Sequence, residues 1–313
     1  MKPQSLTSSF ARKLRYYIFL VVVGVVAANF FFVCADEDAR YTEDELLINP
    51  EGTKGRFGNV VRVEGSHALV GAWFEDSQKG CVYAYRYKVV DGKYKWQYEQ
   101  KLSEEGGKRF GTSVSIARYL DSGEWKMMAL IGSPLSGTNS YYGQVYYYEY
   151  NKGTNLWSLE QIIEADERVA GGNFGASVAV SGYSECREDY ICAVIGSPNA
   201  EKAYVFEKDI KDAFWGSFNQ ADVPLTTTSC TRTKKCNFGE SVDIRGNMIA
   251  VGAPHKEGAA GYTERFWNGA VFMYTLPQYS YDWEEDGVLS NGGFRGHTFG
   301  TDVKVKNAAT YGG

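Results

Sequence analysis

The chain has 313 residues, of which 44% are apolar and 23% charged, and its formal net charge is −5. All 38 acidic residues follow residue 35 but four of the 33 basic residues precede it, which leaves 29 basic against 38 acidic residues, a charge of −9, after that point. Only residues 232–235 form a basic cluster, so the composition argues against a nucleic acid or an anionic membrane surface as partner.

The chain begins with a basic segment followed by an apolar one. Residues 1–15 carry four basic side chains and no acidic one, and residues 16–35 are apolar with small residues near the end. This layout is typical of a secretory signal, and the run is also about long enough to span a bilayer uncleaved. Residues 1–35 are therefore predicted to be a signal peptide or a signal anchor. Either one exports the remaining chain, to a secreted or cell-surface location.

The rest of the chain repeats one pattern. Four units open with Phe57-Gly58, Phe110-Gly111, Phe174-Gly175 and Phe238-Gly239, and Phe299-Gly300 opens a fifth. These openings lie 53, 64, 64 and 61 residues apart. A repeat of this length is typical of a stacked or radial array of small structural units.

Each unit contains four runs with the character of β-strands. In the second unit these are a β-branched stretch at residues 114–116, an apolar run at 129–132, an alternating aromatic run at 145–150 and a polar run that carries Trp157. Short apolar runs bounded by Gly and Pro are typical of strands buried on both faces, and a period of two is typical of strands with unlike faces. Each unit is predicted to be a four-stranded antiparallel sheet, most buried in its first two strands and most polar in its last.

A sheet of this kind cannot bury both faces alone and must stack against copies of itself. Radial stacking gives a β-propeller. The predicted fold class is therefore all-β, a β-propeller of four-stranded antiparallel blades within residues 36–313. The blades are expected at about residues 57–102, 110–163, 174–223 and 238–289, with a partial fifth at 299–313.

The repeated motif resembles that of a known family. Phe-Gly-x-Ser-Val recurs at residues 110–114, 174–178 and 238–242 with only its third position varied, and a Gly-Ala-Pro or Gly-Ser-Pro follows each copy. This pattern resembles the FG-GAP repeat, the blade motif of the integrin α-subunit propeller. Propellers of that family usually have seven blades, so the resemblance implies that the blades seen here are part of a larger ring. Closure assisted by a partner, or an irregular closure, is the alternative.

Four cysteines form two close pairs in the sequence. Cys186 and Cys192 flank a polar loop between two inner strands, and Cys230 and Cys236 flank a second polar loop. In an exported protein such pairs are typical of disulfides that close loops, so both are predicted to be bonded. Free thiols or metal ligands are the alternative, although no histidine lies nearby to complete a zinc site. Cys81 is left over, either buried as a small apolar residue or paired outside this chain.

The resemblance also raises calcium as a cofactor, because many relatives hold Ca²⁺ with alternating Asp residues in the loop between the first two strands. That alternation is missing here: the second unit offers Asp121, Gly123 and Glu124 in this loop, and the third offers Glu185, Glu188 and Asp189. We therefore expect solvated turns and no cofactor, with weak calcium binding as the alternative. The sequence also contains no Gly-x-Ser-x-Gly or His-Glu-x-x-His motif, so no enzyme is predicted.

The predicted binding residues lie on loops. In a propeller, the loop between the second and third strands and the loop into the next blade emerge on the same face. Such loops here carry Tyr141, Tyr142, Tyr262, Arg265, Phe266 and Trp267. Tyr, Trp and Arg exposed together are typical of binding hot spots, so these residues are candidates for binding an extracellular protein or glycan. The alternative is that the rings pack on their own blade.

We therefore predict a non-catalytic, adhesion-type binding propeller. One alternative is an accessory propeller domain of a larger exported hydrolase, and another is a structural spacer in a surface coat. A contact with the membrane is expected only through the N-terminal segment, if that segment stays uncleaved.

Overall fold

A computed structural model of the protein describes residues 46–137, 141–182, 186–187, 189–211, 218–221, 223–231, 235–256, 268–277, 280, 282–290 and 299–305. The predicted signal segment lies outside these ranges. Within them, sixteen strands form four sheets, and helical structure is limited to short turns at Glu75–Gln78 and Pro198–Ala200. No helix of the described ranges is both long and apolar enough to cross a membrane. The all-β prediction is confirmed.

Each sheet contains four consecutive strands, paired antiparallel and in chain order, as predicted. The first sheet contains β1 (Val61–Glu64), β2 (His67–Ala72), β3 (Cys81–Val90) and β4 (Lys93–Leu102). The second contains β5 (Ser113–Asp121), β6 (Glu124–Ser133), β7 (Gln144–Asn151) and β8 (Leu156–Ile163). The third contains β9 (Ser177–Val180), β10 (Tyr190–Ser197), β11 (Lys202–Asp209) and β12 (Asn219–Gln220). The fourth contains β13 (Ser241–Arg245), β14 (Met248–Ala253), β15 (Ala270–Thr275) and β16 (Glu284–Ser290).

Burial within the sheets differs in one respect from the prediction. The second and third strands are the most buried, because the aromatic residues of the third strand point into the core; Tyr83, Tyr146 and Tyr204 are all almost completely buried. The first strand is well buried only where another sheet precedes it. No sheet precedes β1 among the described residues, and Val61 and Val63 of this strand are 46% and 54% exposed.

Neighbouring sheets pack against each other in chain order, with a buried apolar cluster between each pair. Phe110, Phe174 and Phe238 lie in these three clusters and are at most 2% exposed. Each ring makes an edge-to-face contact with an aromatic residue in the third strand of its own sheet. The partners, in chain order, are Tyr146, Tyr204 and Phe272, at centroid distances of 5.1, 5.4 and 5.4 Å. The Phe-Gly segments thus fill the space between one sheet and the next.

A hydrogen bond repeats at each of these interfaces. The serine two positions after the Phe-Gly glycine donates its hydroxyl to the carbonyl of the corresponding glycine in the next unit. The distance is 2.8 Å from Ser113 to Gly175, from Ser177 to Gly239 and from Ser241 to Gly300. In the first unit Val60 occupies the serine position and has no hydroxyl to donate.

Glycine in the second strand permits this close approach. A Cβ atom on Gly132 would lie 2.0 Å from the carbonyl oxygen of Gly175, and one on Gly196 would lie 2.0 Å from that of Gly239. Because any larger residue would separate the sheets, the glycine of the Gly-(Ala/Ser)-Pro motif is explained by packing between units.

A second hydrogen bond joins some neighbouring first strands. The Ser115 hydroxyl accepts the Val180 N–H at 3.2 Å, and the Asp243 carboxylate accepts the Val305 N–H at 2.6 Å. Ala179 stands at the corresponding position of the third unit and has no oxygen in its side chain to accept one. First strands therefore lie side by side along the array.

Both predicted cysteine pairs are at disulfide distance. Cys186 and Cys192 have Cα atoms 6.0 Å apart, and Cys230 and Cys236 have Cα atoms 5.4 Å apart. Cys81 is a buried free cysteine, in agreement with one of the two predicted alternatives. Burial, together with the nearby Glu75 carboxylate, raises the pKa of its thiol to about 12. The thiol therefore packs as an apolar group.

Candidate functional site

Two kinds of loop meet at one end of the sheets. The loop after the second strand ends at a glycine that lies against the Phe-Gly segment of the next unit. A Cβ atom added to Gly80 would lie 2.2 Å from the Phe110 carbonyl oxygen, and one added to Gly143 would lie 2.1 Å from the Phe174 carbonyl oxygen. Correspondingly, the Phe110 N–H donates to the Lys79 carbonyl at 2.9 Å. The loops between second and third strands and the loops into the next unit therefore lie side by side.

Two of the six predicted binding residues lie within the described ranges. Tyr141 is 42% exposed. Tyr142 is half-buried, and its carbonyl accepts the Phe174 N–H at 3.2 Å. Tyr142 therefore positions the start of the third unit, and Tyr141 is the more accessible ring. The other four, Tyr262, Arg265, Phe266 and Trp267, lie outside the described residues.

The same end of the molecule carries a cluster that the sequence did not single out. The Trp73 ring lies under two guanidinium groups, with the Cζ atom of Arg56 at 4.7 Å and that of Arg109 at 4.8 Å from its centroid. Arg56 also lies over Phe74, at 5.7 Å, and the Phe74 side chain is 43% exposed. Contacts of this kind are cation–π interactions.

A further pair extends this cluster towards Tyr141. The Lys108 ammonium lies 4.4 Å from the centroid of the Tyr141 ring and donates a hydrogen bond to its hydroxyl at 3.3 Å. Lys108 and Arg109 are adjacent in sequence, so the two groups of contacts are continuous. We call the whole set the cation–aromatic surface; it contains Arg56, Trp73, Phe74, Lys108, Arg109 and Tyr141.

Backbone conformation positions the cations of this surface. Arg56 and Arg109 directly precede the Phe residues of their units, and both have a φ of 59°, in the left-handed region. The Arg109 N–H donates to the Gln78 carbonyl at 2.7 Å. The Lys108 N–H is held by the hydroxyls of Ser133 and Ser136, at 3.1 and 2.9 Å. The unusual turn is thus fixed by neighbouring loops.

The cation–aromatic surface has an excess of positive charge. Within the described part of the chain, no carboxylate forms an ion pair with Arg56, Lys108 or Arg109. In a chain with a net charge of −5, three cations without a carboxylate partner beside exposed aromatic rings are unusual, since exposed charges are normally interspersed with opposite ones.

The carboxylate of Glu75 is close in sequence to Trp73 and Phe74, but it is bound by other side chains. Glu75 is 3% exposed and accepts hydrogen bonds from the Tyr83 hydroxyl at 2.6 Å and from Lys101 at 3.2 Å. Burial alone would raise the pKa of Glu75, but these hydrogen bonds and the Lys101 charge lower it to about 2. The ionised carboxylate therefore anchors the loop that carries Trp73, and its charge is balanced by Lys101.

The acidic residues considered for calcium are engaged elsewhere, where they are described. Asp121 pairs with Lys126 at 2.5 Å and Glu124 with Lys152 at 2.9 Å; Glu185 and Glu188 lie outside the described residues. Both of these carboxylates are thus ion-paired with a lysine.

One group in the described ranges has the composition of a metal site. Glu201, Cys230 and Cys236 bring their ligand atoms within 4.8 Å of one another. The two sulfurs are joined to each other, however, and the Glu201 carboxylate accepts three backbone N–H groups, from Cys236 at 3.0 Å, Asn237 at 3.1 Å and Phe238 at 2.9 Å. Glu201 therefore fixes the start of the fourth unit.

His67 is a buried histidine in the core between two sheets. It is 8% exposed between the first two sheets, with its ring 4.4 Å from that of Tyr150, and neither ring nitrogen has a hydrogen-bond partner among the described residues. Burial, and secondarily the charge of Arg86, lowers its pKa to about 4. The imidazole is thus neutral and packed.

Comparison with known proteins adds no relative: no protein-family model matches the chain, and no curated protein matches it.

Proposed function

We propose that the protein is an exported, non-catalytic β-propeller of the FG-GAP type that binds an acidic extracellular ligand, on a protein or a glycan, through its cation–aromatic surface. The observation that carries this proposal is a set of three cations that have no carboxylate partner among the described residues and lie beside half-buried Trp73 and the exposed rings of Phe74 and Tyr141. Arginine stacked on an aromatic ring keeps its N–H edge available for carboxylates and sulfates.

The propeller assignment is supported by the way the sheets follow one another. The first strands β1, β5, β9 and β13 contact each other in chain order. The same four strands line one shared cavity, as strands arranged around an axis would. Two disulfides support an exported location, since such bonds persist in oxidising compartments.

Binding to defined acidic probes tests the proposal. The purified protein would be applied by biolayer interferometry to immobilised polyglutamate, heparin and neutral dextran, at low and high salt. We expect binding to at least one acidic probe, loss of that binding at high salt and no binding to dextran.

Three variants locate the binding surface. Arg109→Gln and Trp73→Ala are expected to weaken binding about tenfold, equivalent to about 1.4 kcal/mol. Lys152→Gln removes one positive charge from the exposed pair with Glu124 and should change affinity less than about twofold. Melting curves establish that all three variants are folded. Absence of binding to both acidic probes, or equal affinities for Arg109→Gln and Lys152→Gln, would refute the proposal.

A further inference from the structure

A pocket of about 570 Å³ opens between the third and fourth sheets, at their outer strands. The third sheet contributes residues of β11, of β12 and of the segment after β12, and the fourth contributes β15 and the start of β16. The cation–aromatic surface belongs to the first and second units. The two sites are therefore separate, and the inference below does not depend on the proposed ligand of that surface.

The corresponding outer strands of the two preceding interfaces are tied together by a glutamine. The Gln100 side chain of β4 accepts the Trp157 N–H at 2.7 Å and donates to the Trp157 carbonyl at 3.0 Å. The Gln161 side chain of β8 makes the same two bonds with the backbone of Phe218, at 2.8 and 3.0 Å. Trp157 and Phe218 are at most 4% exposed. At these two interfaces the outer aromatic residue is thus buried.

The third interface lacks this tie among the described residues, and its aromatic residue is Trp283. Trp283 packs against the apolar cluster between the third and fourth sheets, but it is only half-buried and lines the pocket. Its indole N–H is buried and has no hydrogen-bond partner within the described ranges. Because an unsatisfied buried donor is costly, the contacts of the described residues do not fully accommodate this side chain.

Acidic side chains border the pocket without a basic one. The described lining includes Glu207, Asp282 and Glu285 and contains no lysine, arginine or histidine. Glu207 is ion-paired with Arg187. In the part of the chain that the structure describes, no cation forms an ion pair with Asp282 or Glu285, and both residues are exposed. Two carboxylate charges therefore remain available at the pocket.

Two aromatic rings line the same pocket, those of Tyr274 and Trp283. The Tyr274 hydroxyl donates to the Thr226 carbonyl at 3.0 Å, which anchors the ring. Burial, and after it the charge of Glu285, raises the pKa of Tyr274, in agreement with a carboxylate beside this ring. An ammonium group is attracted both by a carboxylate and by the face of a Tyr or Trp ring.

The lining favours an organic cation over a metal ion. Among the described residues, ligand atoms of three potential metal-binding side chains converge within 4.8 Å only in the group that contains Glu201. The carboxylates of the pocket are thus more widely spaced than a hard ion requires. Val223, Pro224 and Leu225 add an apolar wall that suits the carbon atoms of an organic ligand, and the volume falls within the range of small-molecule sites.

We propose that this pocket binds a compact organic ammonium ion, either a free amine or the ammonium group of a lysine side chain on a peptide. Asp282 and Glu285 supply the charge that attracts it. The ring of Trp283 supplies the cation–π contact, and the apolar wall covers the carbon atoms of the ligand.

Calorimetric titration of the whole protein tests this site. The charged probes are choline and acetyl-lysine methylamide, which keeps its side-chain ammonium free. Their neutral counterparts are the isostere of choline in which carbon replaces nitrogen, and acetyl-norleucine methylamide. Saturable binding of a charged probe is expected, at least about tenfold tighter than that of its counterpart and weaker at high salt. Binding of choline alone would indicate a free amine, whereas binding of the lysine derivative would show that a carried ammonium fits; both outcomes support the proposal.

Charge-matched variants exclude a general electrostatic effect. The double variant Asp282→Asn/Glu285→Gln should lose affinity for the bound probe at least about tenfold. The control Asp91→Asn/Glu105→Gln removes the same charge from two exposed residues outside the third and fourth sheets and should retain affinity within about twofold. Trp283→Leu keeps an apolar side chain without the aromatic face and should weaken binding about tenfold.

Three results would overturn the assignment. The first is no saturable binding of either charged probe, and the second is equal affinity for a charged probe and its neutral counterpart. The third is equal affinity in the Asp282→Asn/Glu285→Gln protein and the charge-matched control, with both proteins shown to be folded by their melting curves. Failure of this site leaves the cation–aromatic surface untouched, because Arg109→Gln and Trp73→Ala lie in other units.

Discussion

The interface between the second and third sheets offers a sharp test of the packing described above. Gly132 has no Cβ, and one added there would lie 2.0 Å from the carbonyl oxygen of Gly175 and 2.2 Å from the Ser113 hydroxyl oxygen. Real Cβ contacts below 3.0 Å essentially do not occur, so Gly132→Ala must push the two sheets apart by about 1 Å or break the Ser113–Gly175 hydrogen bond.

The expected cost follows from these two effects. Overpacking a tight interface costs about 1–3 kcal/mol, and the lost hydrogen bond adds about 1 kcal/mol. Gly132→Ala should therefore lower the free energy of unfolding by about 2–4 kcal/mol. Its backbone is not in the left-handed region, so conformational strain does not contribute.

Urea unfolding followed by fluorescence measures the effect. The transition midpoint should fall while the slope stays unchanged, provided that unfolding remains a single transition. Gly106→Ala is the matched control, since a Cβ there meets no atom within 4 Å. A loss of less than about 1 kcal/mol for Gly132→Ala, or equal losses for the two variants, would refute the interface as described.

Four further predictions follow from named contacts. Ser177→Ala should cost about 1 kcal/mol, measured by urea unfolding, because the Gly239 carbonyl loses its hydroxyl donor; no change would mean that water replaces the hydroxyl freely. His67 has a pKa of about 4 in the folded protein against 6.5 unfolded, so the unfolded state binds more protons as pH falls from about 6.5 to 4, and up to about 3 kcal/mol of stability should be lost. His67→Gln should flatten that part of the stability curve, and an unaltered curve would contradict the burial of a neutral ring. With Cys34 replaced by Ser, Cys81 should resist a thiol reagent at pH 8 until the protein unfolds, because its pKa of about 12 leaves about one thiolate in ten thousand; rapid labelling of the native protein would show that the thiol is accessible. Replacing both Cys186 and Cys192 by Ser should cost about 2 kcal/mol, the loop-closure value for a sequence separation of 6, and an unchanged melting curve would show that the bond contributes nothing.

Much of the fold could be predicted because the repeat is defined by residue types that lie close together in the sequence. Alternating aromatics, short apolar runs and Gly-(Ala/Ser)-Pro turns determine strand positions within a unit, and four copies in register exclude a chance match. The two cysteine pairs were predictable for a similar reason, since the two cysteines of each pair flank one short polar loop in the sequence.

Other features depend on contacts between units, which local patterns do not reveal. Trp73 stands where the second, third and fourth units have a proline. Its stacking on Arg56 and Arg109 joins side chains from two units whose sequence positions give no sign of proximity. The exposure of Val61 was also unpredictable from residue type. Val114 is the same residue at the corresponding position of the second unit, and it is buried because a sheet precedes it.

The serine-to-glycine hydrogen bond makes the array directional. Every donor belongs to the earlier unit and every acceptor to the later one, so two units are compatible in only one order. Internal units that carry both halves of this bond are interchangeable, and duplication of one would create a new junction with the same chemistry as the old. The first unit, with Val60, could be moved inward only at the loss of one such bond. A copied internal unit would therefore need no new contact surface, because its serine hydroxyl and its glycine carbonyl supply both halves of the junction.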